Sequence, residues 1–335
     1  MAATIRDISK LAGVSIATVS KVLGGDYSRV SEATRTRVLE TAKTLRYRPN
    51  LLARGLVSRK SSLLGLIIPD IANPYYADMC RGMADEAQGH GLSTLILNTD
   101  RESAKERRAI QTVTEYAAAG AILVGLSGSV AECAAALERD EVPFVLADCG
   151  YVEAQRCVYV DDFTGSLEAV RYLIGQGHRA IAHLSGFPAP GDPRDARLRG
   201  YREALAQAGI PFDPALVRGG GFDLRTGEEQ TFALLDEGRA FTAVACGNDL
   251  IALGAMRALR ERGKAVPEDV SLIGFDDVNL LYAMEPRLTT VRQPAYDLGR
   301  AASGMLCKAI GGGEPGERSI RFTPTLVVRD TVRKL

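Results

Sequence analysis

Acidic and amide side chains directly follow several short apolar runs of the chain, and their hydrogen-bonding chemistry is the most distinctive in the sequence. Carboxylates and amides placed together can bind adjacent hydroxyl groups of a ligand, because they offer several acceptors and donors. In doubly wound α/β sheets, ligands bind at the carboxyl ends of the strands. These residues therefore predict a ligand-binding cleft, and they are Asp148, Asp161-Asp162, Asn248-Asp249 and Asp276-Asp277.

The three histidines argue against catalysis. His90, His178 and His183 are predicted on a helix end, a turn and a strand, and no Ser/His/Asp or metal-ligand spacing joins them. No Gly-x-Gly-x-x-Gly motif follows the first apolar run, so a nucleotide-dependent enzyme has little support. We therefore expect a binding protein that is not an enzyme and that uses neither a metal nor another cofactor.

The first 24 residues indicate a second kind of chemistry. Two sets of apolar residues at helical spacing lie on either side of Gly13-Val14-Ser15, which has the composition of a tight turn followed by an N-cap. Short hydroxyls, small apolar groups and one cation then lie on the outer face of the second helix, which suits a DNA major groove. That face comprises Ile16, Ala17, Thr18, Ser20 and Lys21. The alternative is an ordinary αα-hairpin inside a bundle.

The charges are distributed unevenly along the chain. Its 335 residues contain 41 Lys and Arg and 41 Asp and Glu, which gives a net charge of zero. Residues 1–62, however, hold 12 of the basic residues and 4 of the acidic ones. This asymmetry predicts a basic end that binds nucleic acid, attached to an acidic body.

Several features predict a cytoplasmic protein. Six cysteines are scattered with no Cys-x-x-Cys pair, which favours reduced thiols over a disulfide or zinc framework. The segment Met1–Arg6 has no apolar h-region, so a secretory signal is not expected. No stretch of about 18 apolar residues is present, so no contact with a membrane is expected either.

From Leu63 the chain alternates between apolar runs and helical stretches, which predicts repeated βα winding in two α/β lobes. The predicted strands are Leu63–Pro69, Ser93–Asn98, Ala121–Gly125, Pro143–Asp148, Cys157–Val160, Ala180–Leu184, Ala243–Cys246 and Ser271–Phe275. Helices are predicted at Tyr75–Gln88, Lys105–Ala118, Phe163–Ile174, Ala196–Ala208 and Asp249–Arg262. We therefore expect an α/β fold with a small all-α headpiece, whose third helix begins at Ser31-Glu32 and reaches about Leu45.

The segment between these parts, Asn50–Ser62, has helix-forming content but spans only a few turns and contains Gly55. Isolated helices this short are marginal in water. Two interpretations remain open from the residues alone: a linker that becomes helical when it packs on DNA and a second copy, or a plain flexible linker.

Matching segments distributed over essentially the whole chain resemble the lactose-repressor (LacI/GalR) family of bacterial transcription regulators. They are TIRDISKLAGVSIATVSKVL (4–23), YRPNLLARGL (47–56), GLIIPDIANPYY (65–76), GHRAIAHLSG (177–186), RLRGY (197–201), VPEDVSLIGFDD (266–277) and LTTVRQP (288–294). The resemblance implies a headpiece at 1–48, a hinge at 49–62 and a periplasmic-binding-protein-like core at 63–335. The amino lobe would be about 63–162 and 293–322, and the carboxyl lobe about 163–292 and 323–335.

The resemblance also implies roles in DNA binding. A homodimer would place two headpieces on a pseudo-palindromic operator in double-stranded DNA, with Ile16, Ala17 and Lys21 facing the bases. Lysine can donate to guanine, and Ile and Ala can pack on thymine methyls. Further contacts are expected from Thr18, Ser20, Tyr47, Asn50 and Ala53, with Leu56 as a wedge in the minor groove. Core packing is the alternative role for Tyr47, and a simple hydrophobic linker residue is the alternative for Leu56.

For the cleft, the resemblance and the strand-end chemistry together select a set of effector-binding residues. Arg197, Asn248 and Asp276 offer paired hydrogen bonds, and Tyr75 and Phe222 can stack on a sugar face or on an aromatic base. The full set is Tyr75, Tyr76, Asp148, Asp161, Arg197, Phe222, Asn248 and Asp276. Tyr76 and Asp148 are the weaker members, with packing and strand-end capping as their alternative roles.

These inferences favour a sequence-specific DNA-binding repressor controlled by a small-molecule effector, such as a sugar or sugar acid, bound between the two lobes. A purine or another metabolite is the alternative effector. A solute-binding protein is a weaker alternative because of the basic headpiece and the missing export signal. No leucine heptads follow the last strand-like run, Thr325–Arg329, so a dimer is expected rather than a tetramer.

Overall fold

The computed structural model describes residues 3–47, 61–150, 152, 155–188, 192, 195–312 and 317–335. The chain divides into two compact units, Met1–Ser62 and Leu63–Leu335, called here the headpiece unit and the core unit. The predicted hinge segment, with Asn50, Ala53 and Leu56, lies outside the described residues. Its helical or flexible character therefore stays a prediction.

The headpiece unit contains the predicted helix pair and the predicted third helix. These are α1 (Ile5–Ala12), α2 (Ile16–Gly24) and α3 (Glu32–Thr44). Each begins after a side chain that accepts a hydrogen bond from a backbone N–H of the first turn: Thr4, Ser15 and Ser31. Such caps satisfy donors that have no partner inside the helix, which explains why the helices begin at these residues.

The turn between α1 and α2 depends on one glycine. Gly13 has a φ of 62° and donates its N–H to the carbonyl of Ser9, so it ends α1 in the left-handed conformation. The two helices then pack with α3 around a small core, in which Ile8, Val19 and Val38 are completely buried. Burying side chains of this size contributes about 1.5–3 kcal/mol each, so the packing of these helices stabilises a unit with few residues.

The core unit alternates strands and helices, as the apolar runs predict. Its strands are β1 (Leu63–Ile68), β2 (Ser93–Asn98), β3 (Gly120–Val124), β4 (Phe144–Ala147), β5 (Cys157–Val160), β6 (Ile181–Ser185), β7 (Val217–Gly219), β8 (Ala243–Cys246), β9 (Ser271–Asp276), β10 (Thr289–Arg292), β11 (Ser319–Phe322) and β12 (Thr325–Val327). Its α-helices are α4 (Pro74–Gly89), α5 (Ser103–Glu115), α6 (Val130–Arg139), α7 (Asp162–Gly175), α8 (Ala196–Gln207), α9 (Leu224–Asp236), α10 (Asp249–Glu261) and α11 (Ala295–Ile310). Short 3-10 turns span Pro214–Leu216 and Asn279–Ala283.

The strands form two sheets, one in each lobe. The amino-lobe sheet has the order β11-β5-β4-β3-β1-β2, and the carboxyl-lobe sheet has the order β12-β10-β9-β8-β6-β7. Neighbouring strands are parallel, except that β12 runs antiparallel to β10. In β1, Leu64, Leu66 and Ile68 are buried together with their alternating neighbours, as expected for a parallel strand covered on both faces.

The chain crosses between the two sheets at three places: from β5 to α7, from β10 to α11 and from β11 to β12. The crossings contain Asp161, Gln293 and Pro324, respectively. Since strands of both sheets end or begin here, their terminal residues from the two lobes lie on the walls of one cleft.

Two glycines allow α4 and α11 to pack closely beneath the amino-lobe sheet. A Cβ atom added to Gly82 would lie 2.1 Å from the backbone oxygen of Tyr296, and one added to Gly299 would lie 2.1 Å from that of Met79. Helices that approach this closely require glycine on both sides of the contact. The N-terminal turn of α4, which contributes Tyr75 and Tyr76 to the cleft, is thereby held against the helix that follows the second crossing.

None of the helices in the described parts of the chain is long and apolar enough to span a membrane. The six cysteines are present as free thiols, and Cys149 is the member that is partly exposed. The other five are buried.

Candidate functional site

The outer face of α2 presents the side chains that the sequence indicates for base contact. Ile16 is 49% exposed, although it is a large apolar residue, and Ala17 and Lys21 are also exposed. Val19 and Val22 on the opposite face are buried in the headpiece core. One face of the helix is thus fixed by packing, which leaves the other face free to enter a groove.

Several cations in the described part of the headpiece form no close ion pair. Within residues 3–47, no side chain of Lys10, Lys21, Arg35 or Lys43 forms an ion pair within 4.0 Å. Arg35 lies instead over the ring of Tyr27, with its guanidinium carbon 4.0 Å from the ring centre. Uncompensated cations on a small unit are what phosphate binding requires, because each phosphate contact neutralises one charge.

Three other predicted DNA-contacting residues have local environments in the structure. Ser20 is exposed, whereas Thr18 is half-buried and its hydroxyl lies 2.9 Å from the hydroxyl of Ser15. Tyr47 is half-buried and packs against the headpiece core. Packing therefore accounts for at least part of the role of Tyr47, as the alternative interpretation of this residue holds.

The cleft of the core unit brings together most of the polar residues that end the predicted strands. Asp276 ends β9, Asp148 follows β4, and Asp162 begins α7 after the first crossing. Both Asp148, with a φ of 54°, and Asp276, with a φ of 123°, have positive φ values that non-glycine residues seldom adopt. Such backbone strain is typical of functional positions, and here it turns the two carboxylates away from their strands.

Arg197, from the first turn of α8, is the central cation of this cleft. Its Nε lies 3.1 Å from the carboxylate of Asp162, and its Nη1 lies 3.8 Å from that of Asp276. The same nitrogen donates to the carbonyl oxygen of Gly247, and the guanidinium carbon lies 4.0 Å above the ring centre of Phe275. These contacts hold the Arg197 guanidinium in place, and two carboxylates lie close to its single positive charge.

A chain of hydrogen bonds continues from Asp276 to the amino lobe. Gln293, in the second crossing, donates from Nε2 to Asp276 over 2.7 Å. The hydroxyl of Tyr75 lies 3.3 Å from Oε1 of Gln293 and 3.2 Å from Oδ1 of Asp148. The network thus joins the carboxyl lobe, a crossing and the amino lobe through side chains that can all bond to hydroxyl groups.

Burial perturbs the acid–base properties of this network. Burial raises the pKa of Asp148 to about 7, with a further increase from the Asp162 carboxylate and an opposing effect from Arg197 and Arg101. The pKa of Asp276 is also raised well above its ordinary value by burial, which the nearby Arg197 guanidinium opposes. The Asp148 carboxyl can therefore act both as an acceptor and as a donor near neutral pH, which suits hydroxyl ligands.

Aromatic rings line one side of the cleft. The rings of Phe222 and Phe187 meet edge-to-face with centres 5.3 Å apart. The guanidinium carbon of Arg101 lies 4.4 Å from the ring centre of Phe222, and Nη2 of Arg101 donates to the hydroxyl of Tyr76 over 2.9 Å. Phe222 is therefore placed for stacking, whereas Tyr75 is only 3% exposed and offers mainly its hydroxyl.

The side chains of two residues predicted to bind the effector, Asp161 and Asn248, cap helices of the protein itself. Asp161 caps α7 by accepting the N–H and the hydroxyl of Thr164, and it lies 3.3 Å from Arg321. Asn248 caps α10 by accepting the N–H of Ile251, and it donates from Nδ2 to the carbonyl of Phe222 over 3.3 Å. Asn248 therefore fixes the position of Phe222.

Sequence reasoning missed three residues of the cleft: Arg101, Asp162 and Gln293. Asp162 was noted beside Asp161 as a strand-end residue but was not selected. Gln293 lies in the segment LTTVRQP, which was singled out, so the motif itself was a usable signal. Arg101 carries no local signal, since its position depends on how the loop between β2 and α5 is folded.

Two parts of the chain match known protein families. Residues 4–50 match the family of bacterial regulatory proteins named after LacI, and residues 170–332 match a periplasmic binding protein-like domain. The HTH-type transcriptional regulator GalR of Salmonella typhimurium is 38% identical over 330 residues, which cover 98% of this chain and 96% of that protein. The chain belongs to the LacI family. It is a DNA-binding transcriptional regulator, as the helix pair and the charge asymmetry predict.

Solved structures of LacI-family proteins have the same fold. The Lac repressor dimer bound to operator and the anti-inducer ONPF is 28% identical, with a TM-score of 0.86 over 99% of this chain and 100% of that one. A complex of the transcriptional regulator CelR with cellobiose is 31% identical, with a TM-score of 0.74 over 98% of this chain and 99% of that one. The predicted α/β class, with an all-α headpiece and a two-lobed core, is confirmed.

Proposed function

We propose that this LacI-family regulator acts as a homodimer that represses transcription from a pseudo-palindromic operator. Its affinity for the operator is controlled by a sugar or sugar acid bound in the cleft between the two lobes. Because it acts on chromosomal DNA, its place of action is the cytoplasm.

The hydrogen-bonded network of Arg197, Asp276, Gln293, Tyr75 and Asp148 carries this proposal. Its members come from both lobes and from a crossing. Gln293 is hydrogen-bonded to Asp276 at 2.7 Å and to Tyr75 at 3.3 Å. Adjacent hydroxyls of a sugar can replace these mutual hydrogen bonds with equivalent ones to the ligand. The half-buried ring of Phe222 would supply the apolar contact that a sugar face needs. The complex of the relative CelR with cellobiose supports the same ligand class.

The headpiece roles follow from its exposed face. Ile16, Ala17 and Lys21 would contact base edges, and Thr18 and Ser20 would contact phosphates. These assignments agree with the burial of Val19 and Val22 on the opposite face. Contacts from Tyr47, Asn50 and Ala53, and the wedge role of Leu56, remain predictions from the family resemblance.

Control by the ligand requires that it bind differently to two arrangements of the lobes. The cleft residues Asp162 and Gln293 lie directly at two of the crossings between the sheets. A ligand that bonds to them favours one angle between the lobes, which changes the geometry available to a dimer.

Selection of binding sites from genomic DNA tests the proposal directly. The purified chain should enrich a sequence with two-fold symmetry, and its affinity for that site should fall with salt at a log–log slope of about −0.9 per phosphate neutralised. Sugars, sugar acids and purines are then added, and the change in operator affinity is measured by fluorescence anisotropy. Enrichment of no sequence, with or without these compounds, would refute the proposal. A response to purines alone would favour the alternative effector.

A further inference from the structure

The guanidinium of Arg101 is a cation in the cleft that forms no ion pair with a carboxylate of the described residues. Among the described residues, no carboxylate oxygen lies within 4.0 Å of it, whereas Arg197 has two carboxylates at 3.1 and 3.8 Å. Its contacts are the hydroxyl of Tyr76, at 2.9 Å, and the ring of Phe222. Since a guanidinium has five N–H donors, most of them remain available to a ligand.

The protein holds Arg101 in place at some cost in backbone conformation. Arg101 has a φ of 59°, and its carbonyl accepts a hydrogen bond of 2.6 Å from the hydroxyl of Ser127. The carboxylate of Glu106, a residue only 1% exposed, accepts the backbone N–H groups of Ser127 at 2.8 Å and Gly128 at 3.0 Å. The buried Glu106 carboxylate therefore fixes Ser127 and Gly128. Ser127 in turn fixes the backbone of Arg101. Strain maintained in this way is typical of residues that contact a ligand.

The opposite wall of the cleft offers an acceptor without a donor. Oδ1 of Asp162 is buried and has no hydrogen-bond partner within the described residues, although Oδ2 of the same carboxylate lies 3.1 Å from Nε of Arg197. A buried acceptor left without a partner costs about 1–3 kcal/mol, so a ligand hydroxyl that donates to it gains affinity.

We propose that Arg101 forms an anion subsite, and that the effector is a polyhydroxylated acid. Its carboxylate or phosphate binds Arg101 while a hydroxyl donates to Oδ1 of Asp162. This inference rests on the proposed function, since it specifies the ligand class of the same cleft. A planar guanidinium binds a carboxylate or a phosphate through two parallel hydrogen bonds, which a neutral hydroxyl cannot form.

The net charge of the cleft is compatible with an anionic ligand. Arg197 can neutralise one of the two carboxylates beside it, Asp162 and Asp276, and burial raises the pKa of both carboxyls and that of Asp148, which favours their neutral forms. Excluding water from the closed cleft raises the cost of leaving Arg101 unpaired. An anion at Arg101 removes that cost.

Neutral sugars and acids derived from them test this inference on the full-length chain. The pairs are D-galactose with D-galacturonate, and D-glucose with D-gluconate and with D-glucose 6-phosphate, and hypoxanthine represents purines. Binding is measured by thermal stabilisation and by calorimetry. We expect an acid to bind and its neutral parent to bind far more weakly. The gluconate and phosphate arms decide which anion Arg101 prefers.

Arginine variants separate the anion subsite from general effects. Arg101→Gln should weaken binding of the acid roughly ten- to a hundredfold, and it should weaken any binding of the neutral parent much less. Arg101→Lys, which keeps the charge, should retain part of the affinity. Arg108→Gln is the matched control, because Arg108 is exposed on α5 and bonds only to Gln111, at 3.3 Å, and it should change nothing. The unfolding temperature of each variant without ligand verifies its folding.

Each remaining outcome contradicts the inference in a distinct way. Equal binding of acids and neutral parents, with Arg101→Gln unaffected, would overturn it and leave the proposed sugar-controlled repressor intact. Binding of hypoxanthine alone would overturn it and replace the ligand class. If no probe binds, while site selection on genomic DNA still succeeds, both this inference and the proposed sugar effector are wrong. Failure of site selection concerns the headpiece and identifies failure of the proposed function itself.

Discussion

Replacing Arg197 with methionine removes the central cation of the cleft and retains much of the side-chain volume. The substitution leaves the carboxylates of Asp162 and Asp276, now 3.1 and 3.8 Å from Arg197, without their cationic partner. Breaking a buried ion pair by removing one partner costs about 3–5 kcal/mol. Since the Arg197 side chain is 12% exposed, we expect the lower end of this range. About 3 kcal/mol corresponds to a decrease of about 5 °C in Tm for a unit of this size.

This loss should depend on pH, because the remaining groups are acids. In the wild type, burial already raises the pKa of Asp276 and Arg197 opposes this, so without Arg197 the pKa rises further. When the pKa of an acid is higher in the folded than in the unfolded state, the free energy of unfolding decreases as pH rises above the pKa of the unfolded state. At low pH both carboxyls are protonated and need no cation. The difference in Tm between wild type and variant should therefore be larger at pH 8 than at pH 5.

Thermal unfolding followed by circular dichroism at these two pH values measures the effect. The control is Arg225→Met, which removes an exposed ion pair of 2.6 Å with Glu229 on α9. Exposed pairs of this kind are screened by water and contribute little to stability, so the control should stay close to wild type. Adding Asp276→Asn to Arg197→Met should restore part of the lost stability. The reasoning is refuted if Arg197→Met destabilises no more than Arg225→Met, or if its effect is the same at both pH values.

Three further substitutions test the packing, the titration and the DNA contact. Gly82→Ala should destabilise the core unit by about 1–3 kcal/mol in urea unfolding, because its Cβ would lie 2.1 Å from a backbone oxygen of the facing helix. Gly89→Ala, in the same helix with open space around it, should be stabilising by up to about 1 kcal/mol, and equal effects would contradict the packing argument. Asp148→Asn removes a carboxyl whose pKa is raised to about 7. In denaturant titrations the wild type should therefore lose stability relative to this variant between pH 5 and pH 8, and a constant difference in stability would be inconsistent with that pKa. Lys21→Ala should weaken operator binding by about 1–3 kcal/mol and relax base choice at one position of each half-site. The control, Lys308→Ala on α11, should leave operator affinity in anisotropy titrations unchanged, and equal losses of affinity in the two variants would exclude a base contact by Lys21.

The headpiece could be predicted closely because its signals are local. Ser15 caps α2, and Gly13 has the positive φ that the turn requires, so neighbouring residues alone determine where α1 ends and α2 begins. Ser31 likewise caps α3, which begins where the sequence predicts. The helical or flexible state of Asn50–Ser62 cannot be decided in this way, since a helix of that length depends on what it packs against.

Three helices of the core unit lie outside the predicted segments, for two physical reasons. The segment of α6, Val130–Arg139, is only 10 residues long, and four of them are alanine, whose small side chain gives a weak apolar signal. Glycines interrupt the pattern of α9, Leu224–Asp236, and α11, Ala295–Ile310, although they are needed there for close packing. A Cβ at Gly227 would lie 2.0 Å from the backbone oxygen of Ile251. A tertiary contact thus requires the residue that weakens the local signal.

The cleft shows a similar limit at Asp161 and Asp162. Both carboxylates follow β5, and nothing in the sequence indicates which one caps α7 and which one faces the cleft. In the structure Asp161 is the cap and Asp162 reaches Arg197, because the first turn of α7 directs the second carboxylate toward α8. The pairing of Arg197 with Asp276 could be predicted as a shared position at the strand ends. The positions of Arg101 and Gln293 depend on the folded loop and the crossing.

Residues at the crossings connect ligand binding with lobe movement. A change in the angle between two lobes is absorbed by backbone torsions at a few residues of the connecting segments. Asp162 and Gln293 lie next to the first and second crossings, and their side chains bond to Arg197 and Asp276, respectively, over 3.1 and 2.7 Å. A ligand that competes for these bonds therefore acts on the same segments that must bend. The ligand therefore contacts the segments in which the two lobe arrangements differ, so its affinity for the two arrangements should differ. A difference in affinity is the condition for a ligand to shift their populations.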